Sequence, residues 1–294
     1  MIHQLIQVVT PIFTVIAVGY IWSLSGRKYD LEFITSIAIN LGCPCLAFST
    51  LTNIEINHAL LGSISLATAL ALVLFGLAGI LILRIMGLSI NGYLPPLMFA
   101  NIGNMGLPVC LFAYGKEGLA LAIVVFAVVM AGQFTVAVFF YSGTFSIRSV
   151  FNNPVIISII ISSVLLLSGI EPPQWISSST KLIGDITIPV MLITLGVSLQ
   201  RMRVFNTGTA LLLSAARIGL GFGIGILISY LFGLKGTARG VFVLQSSMPV
   251  AVFNYLLAER YGKNPKETAE LIIISTVLSI ILLPLILQFL KHWD

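Results

Sequence analysis

Asn101-Ile-Gly-Asn-Met-Gly-Leu-Pro108 interrupts an otherwise apolar run from Tyr93 to Tyr114. Asn101, Asn104, Gly103, Gly106 and Pro108 stand where a membrane-spanning helix would hold leucine and valine. The two glycines remove side chains, and Pro108 removes a backbone N–H and clashes with a continuing helix. Broken backbone survives in hydrocarbon only where protein or a water-filled cavity satisfies it. A second break lies at Gln245-Ser246-Ser247-Met-Pro249, inside the run from Gly240 to Ala258. The two prolines are 141 residues apart, close to half of the 294-residue chain. Broken helices at matching places in two halves point to the midplane site of a secondary transporter.

Composition sets the environment of those breaks. Hydrophobic residues make up 58% of the chain and charged residues 9%, with a mean hydropathy of +1.07. So few charges could not cover the surface of a soluble protein of this length. The chain reads as an all-α integral membrane protein. Its net charge of +5 comes from scattered loop residues with no aromatic-rich stripe, so no nucleic-acid partner is expected. Cys43, Cys45 and Cys110 fall within apolar spans and read as small packing residues. His3, His58 and His292 lie near span ends, so no metal site is expected. The start, Met-Ile-His-Gln, lacks the basic region of a signal peptide, and a first span is expected directly after it.

Ten spans can be drawn, at roughly 5–25, 31–52, 59–86, 93–114, 117–142, 151–170, 178–199, 207–232, 238–259 and 268–290. Arg27, Lys28, Arg84, Arg148, Arg201, Arg203, Arg260, Lys263 and Lys266 fall on one side of this arrangement. Lys116, Lys181, Lys235, Arg239 and Lys291 fall on the other. The positive-inside rule puts the first group in the cytoplasm and both termini outside, in a multi-pass cytoplasmic-membrane protein.

The prolines also suggest a repeat. Pro11 and Pro154 are 143 residues apart, Pro44 and Pro189 are 145 apart, and Glu117 and Glu267 are 150 apart. Similar offsets at several landmarks predict two five-span halves, 1–142 and 151–290. Five is odd, so the second half enters from the opposite face and the repeats are inverted. Spans four and nine are the broken ones.

A helix restarting inside the membrane presents unpaired N–H groups and a partial positive charge. Proline suits the first position of such a helix, so Pro108 and Pro249 are predicted to open two half-helices that together bind a carboxylate. Proline kinks alone would shape packing without requiring Asn101, Asn104, Gln245 and Asn254 nearby. The predicted substrate site is therefore Asn101, Gly103, Asn104, Gly106, Pro108, Gln245, Ser246, Ser247, Pro249 and Asn254.

Four more residues are predicted to line the cavity or serve in coupling. Pro44 and Pro189 leave carbonyls free. Asp185, four residues before Pro189, reads as a proton carrier, a cation ligand, a partner of Arg217, or a residue near the interface. Arg217 could neutralise an anionic substrate, pair with Asp185, or snorkel to an interface. Glycines 219, 221, 223 and 225 read as a packing stripe, not a phosphate loop, because no lysine follows and no strand precedes.

On these residues the chain resembles the auxin efflux carrier family, whose bacterial members include candidate malonate and malate carriers. The specific parts are Asn101–Pro108 with Tyr114-Gly-Lys-Glu-Gly, Gln245–Pro249 continuing to Tyr261, Pro44, and Ile188-Pro-Val with Leu195-Gly196. The resemblance spans all ten segments. It implies the fold shared with bile-acid/sodium symporters, with crossed helices four and nine in a mobile transport domain of spans three to five and eight to ten. Spans one, two, six and seven would form a scaffold that often dimerises, in contact with membrane lipid. It further implies elevator-type transport of organic anions. The long hydrophilic loop of the plant carriers is absent, so a small carboxylate is the expected substrate. No cofactor is expected beyond a coupling Na+ or H+. A cation-coupled symporter or antiporter using Asp185 is the alternative, an ion channel is less favoured, and no enzymatic motif stands out.

Overall fold

The computed structural model describes residues 2–53, 58–145, 148, 152–202 and 207–293. Segments 54–57, 146–147, 149–151 and 203–206 lie outside the described residues, and with them Arg203, used above for orientation. The described chain is all-helical apart from one isolated β-bridge.

Twelve helices matter for the argument, counted over the described residues. They are α1 (Ile2–Leu24), α2 (Leu31–Leu51), α3 (His58–Ile85), α4 (Ile90–Met98), α5 (102–114) and α6 (116–142). The second series is α7 (Pro154–Ser168), α8 (Gln174–Arg201), α9 (Thr207–Leu231), α10 (Gly236–Ser246), α11 (Phe253–Tyr261) and α12 (Pro265–Trp293). Six helical stretches are long and apolar enough to cross a membrane. One of them, Ile102–Ser142, turns sharply at Gly115, whose φ of 66° separates α5 from α6. The protein is a multi-pass membrane protein.

Glycines in the left-handed region close several of these helices, and they recur in step. Gly26 and Gly169, Gly87 and Gly233, and Gly115 and Gly262 all have positive φ and lie 143, 146 and 147 residues apart. The last pair carries the same local sequence, Tyr-Gly-Lys, at 114–116 and 261–263.

The prolines play a different part from the one predicted. Wide π-turns occupy Ala38–Gly42 in α2 and Ile102–Gly106 in α5, and each is followed two residues later by a proline, Pro44 or Pro108. A proline ring crowds the carbonyl one turn back and cannot donate to it, and widening that turn by one residue relieves the clash without ending the helix. Pro108 therefore sits inside α5 and does not open it.

The actual breaks lie at Phe99–Asn101 and at 247–252. α4 stops at Met98, Phe99 is extended (φ −102°, ψ 109°), and helix resumes at Ile102. α10 stops at Ser246 and helix resumes at Phe253, so Pro249 lies in the gap itself. The two gaps pair with each other. The Asn101 N–H donates to the Pro249 carbonyl at 2.6 Å, and the Ala251 N–H donates to the Phe99 carbonyl at 3.1 Å, placing Ala100 opposite Val250. Backbone freed from helix inside a membrane needs partners, and each break supplies the other's.

Around this joint the helices pack in two sets. α1 lies along α8, which also packs on α2, and α2 packs on α7. α9 packs on α10 and α12, α10 on the α5–α6 unit, and α3 on α4 and α6. Glycines allow the closest approaches. A Cβ at Gly196 would overlap the Ile16 carbonyl, and one at Gly19 would overlap that of Ile193, so α1 and α8 touch backbone to backbone. In the glycine run of α9, only Gly221 and Gly225 face α10, while Gly219 and Gly223 face open space.

Candidate functional site

Two cavities flank the crossing, one in front and one behind. The front cavity has about 610 Å³ of empty space when the open solvent at its mouth is counted, and only about 60 Å³ is open to the centres of water-sized spheres. One wall is Thr35 and Ile39 of α2 with Met191 and Thr194 of α8. The other wall is Ala100–Asn104, then Phe126, Met130 and Gln133 of α6, then Ala251–Phe253 and Leu256. No Asp, Glu, Lys or Arg among the described residues lines it.

Its polarity comes from helix ends and amides. α5 and α11 both begin at this cavity; short turns bond the N–H groups of Ile102, Asn254 and Tyr255 to the carbonyls of Ala100, Ala251 and Val252, and those of Gly103, Asn104 and Phe253 have no backbone acceptor among the described residues. Each end presents roughly half a positive charge. Two such ends converge here, a field that favours negative charge, and no cationic side chain among the described residues lines the cavity. Gly103 keeps the floor open, since a Cβ there would meet Phe126 at 3.0 Å.

Asn254 locks the arrangement. It is fully buried, its Nδ2 donates to the Phe99 carbonyl at 3.1 Å, and its Oδ1 accepts from Gln133 Nε2 at 3.4 Å. The side chain of one broken helix thus holds the other helix's break, while Gln133 turns its amide to the cavity wall. Asn101 is buried and its Nδ2 has no partner among the described residues. Asn104 is half-buried on the same wall.

The remaining predicted residues lie elsewhere. Gln245 and Ser246 line the rear cavity, of about 310 Å³, together with Arg217, Phe75 and Thr68. Ser247 is buried and its hydroxyl donates to the Val243 carbonyl. Gly106 lies against the Gln245 amide, where a Cβ would not fit. Pro108 is buried behind the cavity wall, and the Pro249 carbonyl is consumed by the bridge. The Pro44 carbonyl accepts from the Ser158 hydroxyl at 2.6 Å, and Pro189 is exposed on α8. Asp185 is also exposed and pairs with Lys181, one turn earlier. The structure brings it neither to Arg217 nor to either cavity.

Gln133, Thr35, Thr194 and Phe126 were not singled out from sequence. Gln133 left a signal, as an amide inside the apolar segment 117–142, where it begins a third π-turn, Gln133–Ala137. The others are ordinary spanning-helix residues until the fold gathers them.

Beyond Leu31 and Leu256, which line both spaces, a larger vestibule of about 950 Å³ opens among Tyr29, Asp30, Glu32, Arg201 and Glu259. Tyr29 donates or accepts with Thr194 at 2.7 Å, and Arg201 donates to the Tyr29 carbonyl at 2.7 Å. Burial raises the Tyr29 phenol above its ordinary value, against the opposing pull of Thr194 and Arg201, so it is a neutral hydroxyl at neutral pH. The vestibule opens on the face that carries Arg27, Lys28 and Arg201.

A sequence profile of the family described as membrane transport protein matches residues 137–287. Over 298 residues the chain is 26% identical to an uncharacterized transporter of Methanocaldococcus jannaschii, covering 95% of this chain and 96% of that one. An uncharacterized transporter of Methanothermobacter thermautotrophicus is 24% identical over 294 residues, with 95% and 96% covered.

Proposed function

The chain belongs to the membrane transport protein family, and we propose that it is a secondary carrier of small organic anions, with carboxylates held in the front cavity. The observation that carries this reading is the convergence of two half-helix N-termini, α5 and α11, on a cavity with no charged side chain. A carboxylate there gains the free N–H groups and the amides of Asn101, Asn104 and Gln133. A cation would meet two positive helix ends.

The carrier spans the cytoplasmic membrane ten times as two inverted five-span repeats, with both termini outside. Support comes from the recurring helix-closing glycines and from a joint that pairs residues 150 apart. Transport is of the elevator type. The α3–α6 and α9–α12 helices form the moving part, and α1, α2, α7 and α8 form a scaffold through which two copies associate. The front cavity lies on the boundary between the two sets. Its path through the vestibule to the arginine-rich face makes this the inward-facing state. Leu31 and Leu256 form the septum that must part for the anion to leave.

Two experiments test the reading. Calorimetry on monodisperse protein with a panel of mono- and dicarboxylates is expected to find a ligand. Asn104→Leu is then expected to weaken it roughly ten- to hundredfold, through loss of a charge-assisted hydrogen bond of about 1.5–3 kcal/mol. Asp185→Asn is expected to leave affinity within about threefold, since an exposed ion pair contributes at most about 1 kcal/mol. The opposite ranking would move the site to α8. For orientation, Ser25→Cys in a chain lacking Cys43, Cys45 and Cys110 is expected to resist a membrane-impermeant maleimide in intact cells and to react after lysis. Labelling in intact cells would invert the topology.

A further inference from the structure

Arg217 lies ten residues into α9 and is 1% exposed. A charge at that depth is costly unless it is compensated. No carboxylate supplies the compensation, since the ion pair found among the described residues is Lys181–Asp185, on another surface. Instead, Arg217 Nη2 donates to the Ser246 carbonyl at 3.1 Å, and the guanidinium lies 4.6 Å from the Phe75 ring centre. Among the described residues its Nε and Nη1 have no hydrogen-bond partner, and neither does the Gln245 amide beside it.

The acceptor explains the charge. Ser246 is the last residue of α10 and Met98 is the last of α4, and both line the rear cavity. The final carbonyls of a helix lack intrahelical partners, and each helix end carries roughly half a negative charge. Two C-terminal ends therefore bring about one negative charge to this cavity, and the guanidinium that lines it bonds to the end of α10. The crossing is polarised. Its front holds two positive helix ends, and its rear holds two negative ends with a single fixed cation. Carbonyl ends arranged this way coordinate a free Na+ or a proton carrier in cation-coupled carriers. Here the positive charge is tethered to the chain, and Gly221, one turn along the same face of α9, lets that helix approach close enough to deliver it.

We propose that Arg217 is a built-in cation that occupies the place of a coupling ion. It holds the ends of α4 and α10 together and so fixes the crossing from behind, which makes anion binding in front independent of Na+ and K+. This rests on the front cavity being the anion site. Arg217 is a positioning residue, since the bridge and its flanking backbone separate it from the front cavity.

The test uses the full-length protein and two readouts. In thermal unfolding with no organic anion present, the wild type is expected to be indifferent to replacing Na+ by choline at constant ionic strength. Arg217→Ala is expected to melt about 5 °C lower or more, and millimolar guanidinium or Na+ is expected to restore it saturably while choline does not. Arg217→Lys is expected to fall between the two. In calorimetry with malonate as the probe, wild-type affinity is expected to be the same in Na+ and choline. Arg217→Ala is expected to bind at least tenfold more weakly and to recover with guanidinium. A wild type that needs Na+ to bind, or an Arg217→Ala protein that no cation rescues, overturns the proposal. Should Arg217→Ala not fold, Arg217→Gln keeps a donor for the Ser246 carbonyl without the charge, and unaltered melting in that variant overturns it equally. Failure of malonate and other carboxylates to bind the wild type would count against the anion reading alone, because the melting experiment contains no carboxylate.

Discussion

Gly221→Ala is expected to destabilise the protein strongly, while Gly219→Ala, two residues earlier in the same helix, is expected to stabilise it. Both glycines sit in the interior of α9, where alanine gains about 1 kcal/mol in helix propensity. A Cβ at Gly219 meets nothing within 4 Å. At Gly221 it overlaps the Ser246 carbonyl and comes within 2.9 Å of the Ser247 Cα. Backbone cannot rotate aside as a side chain can, so the helices must separate. Overpacking of this kind costs about 1–3 kcal/mol. Separation also stretches the Arg217 bond to that same carbonyl, and an uncompensated buried charge adds about 3–5 kcal/mol. Thermal unfolding of the two variants beside the parent gives the comparison, and shifts of equal sign would contradict the close approach of α9 to α10.

The second large effect is expected at Asn254. Leucine has almost the same shape but neither donates to the Phe99 carbonyl nor accepts from Gln133. Each buried group left without a partner costs about 1–3 kcal/mol. The Gln133 amide loses its partner and the Phe99 carbonyl keeps only the Ala251 N–H, so Asn254→Leu is expected to lower substrate affinity roughly ten- to hundredfold. Gln133→Leu removes both the bond to Asn254 and an amide from the proposed anion site, and is expected to cost at least about tenfold. The double variant should fall well short of the sum, with a coupling of about 0.5–3 kcal/mol, because the two residues share one hydrogen bond. Strict additivity in a double-mutant cycle would separate Gln133 from the joint.

Which parts of this could be read from sequence follows from where the physics is local. Long apolar runs with polar punctuation state an all-helical membrane chain directly, because each helix satisfies its own backbone. The neighbourhoods of both breaks were also visible, since Asn101 and Ser246–Ser247 are out of place in hydrocarbon. The points of restart were not. Proline suits the first residue of a half-helix, but Pro108 distorts the turn before it and leaves α5 running, while Pro249 lies within the second gap. The stronger repeat marker was Tyr-Gly-Lys at 114–116 and 261–263, which depends on a left-handed glycine and not on a missing N–H.

Sides of the crossing were hidden for a different reason. Gln245 and Asn254 look alike in sequence, yet one amide faces the rear and the other reaches through to the opposite helix. Only the angle at which two breaks meet decides that, and it is a tertiary quantity. Asp185 is left open by the sequence between coupling and a place near the interface, and its exposure beside Lys181, one turn away, fits the second.

The joint at Ala100 and Val250 consists of main-chain groups alone. The side chains at those two positions enter neither hydrogen bond, although both are buried and must stay compact, and only a proline at 101 or 251 would delete a donor. The mechanical centre of the molecule therefore places almost no constraint on spelling. About a quarter of positions agree between this chain and its two archaeal relatives, and a rivet made of main chain is a feature that drift of that extent need not touch.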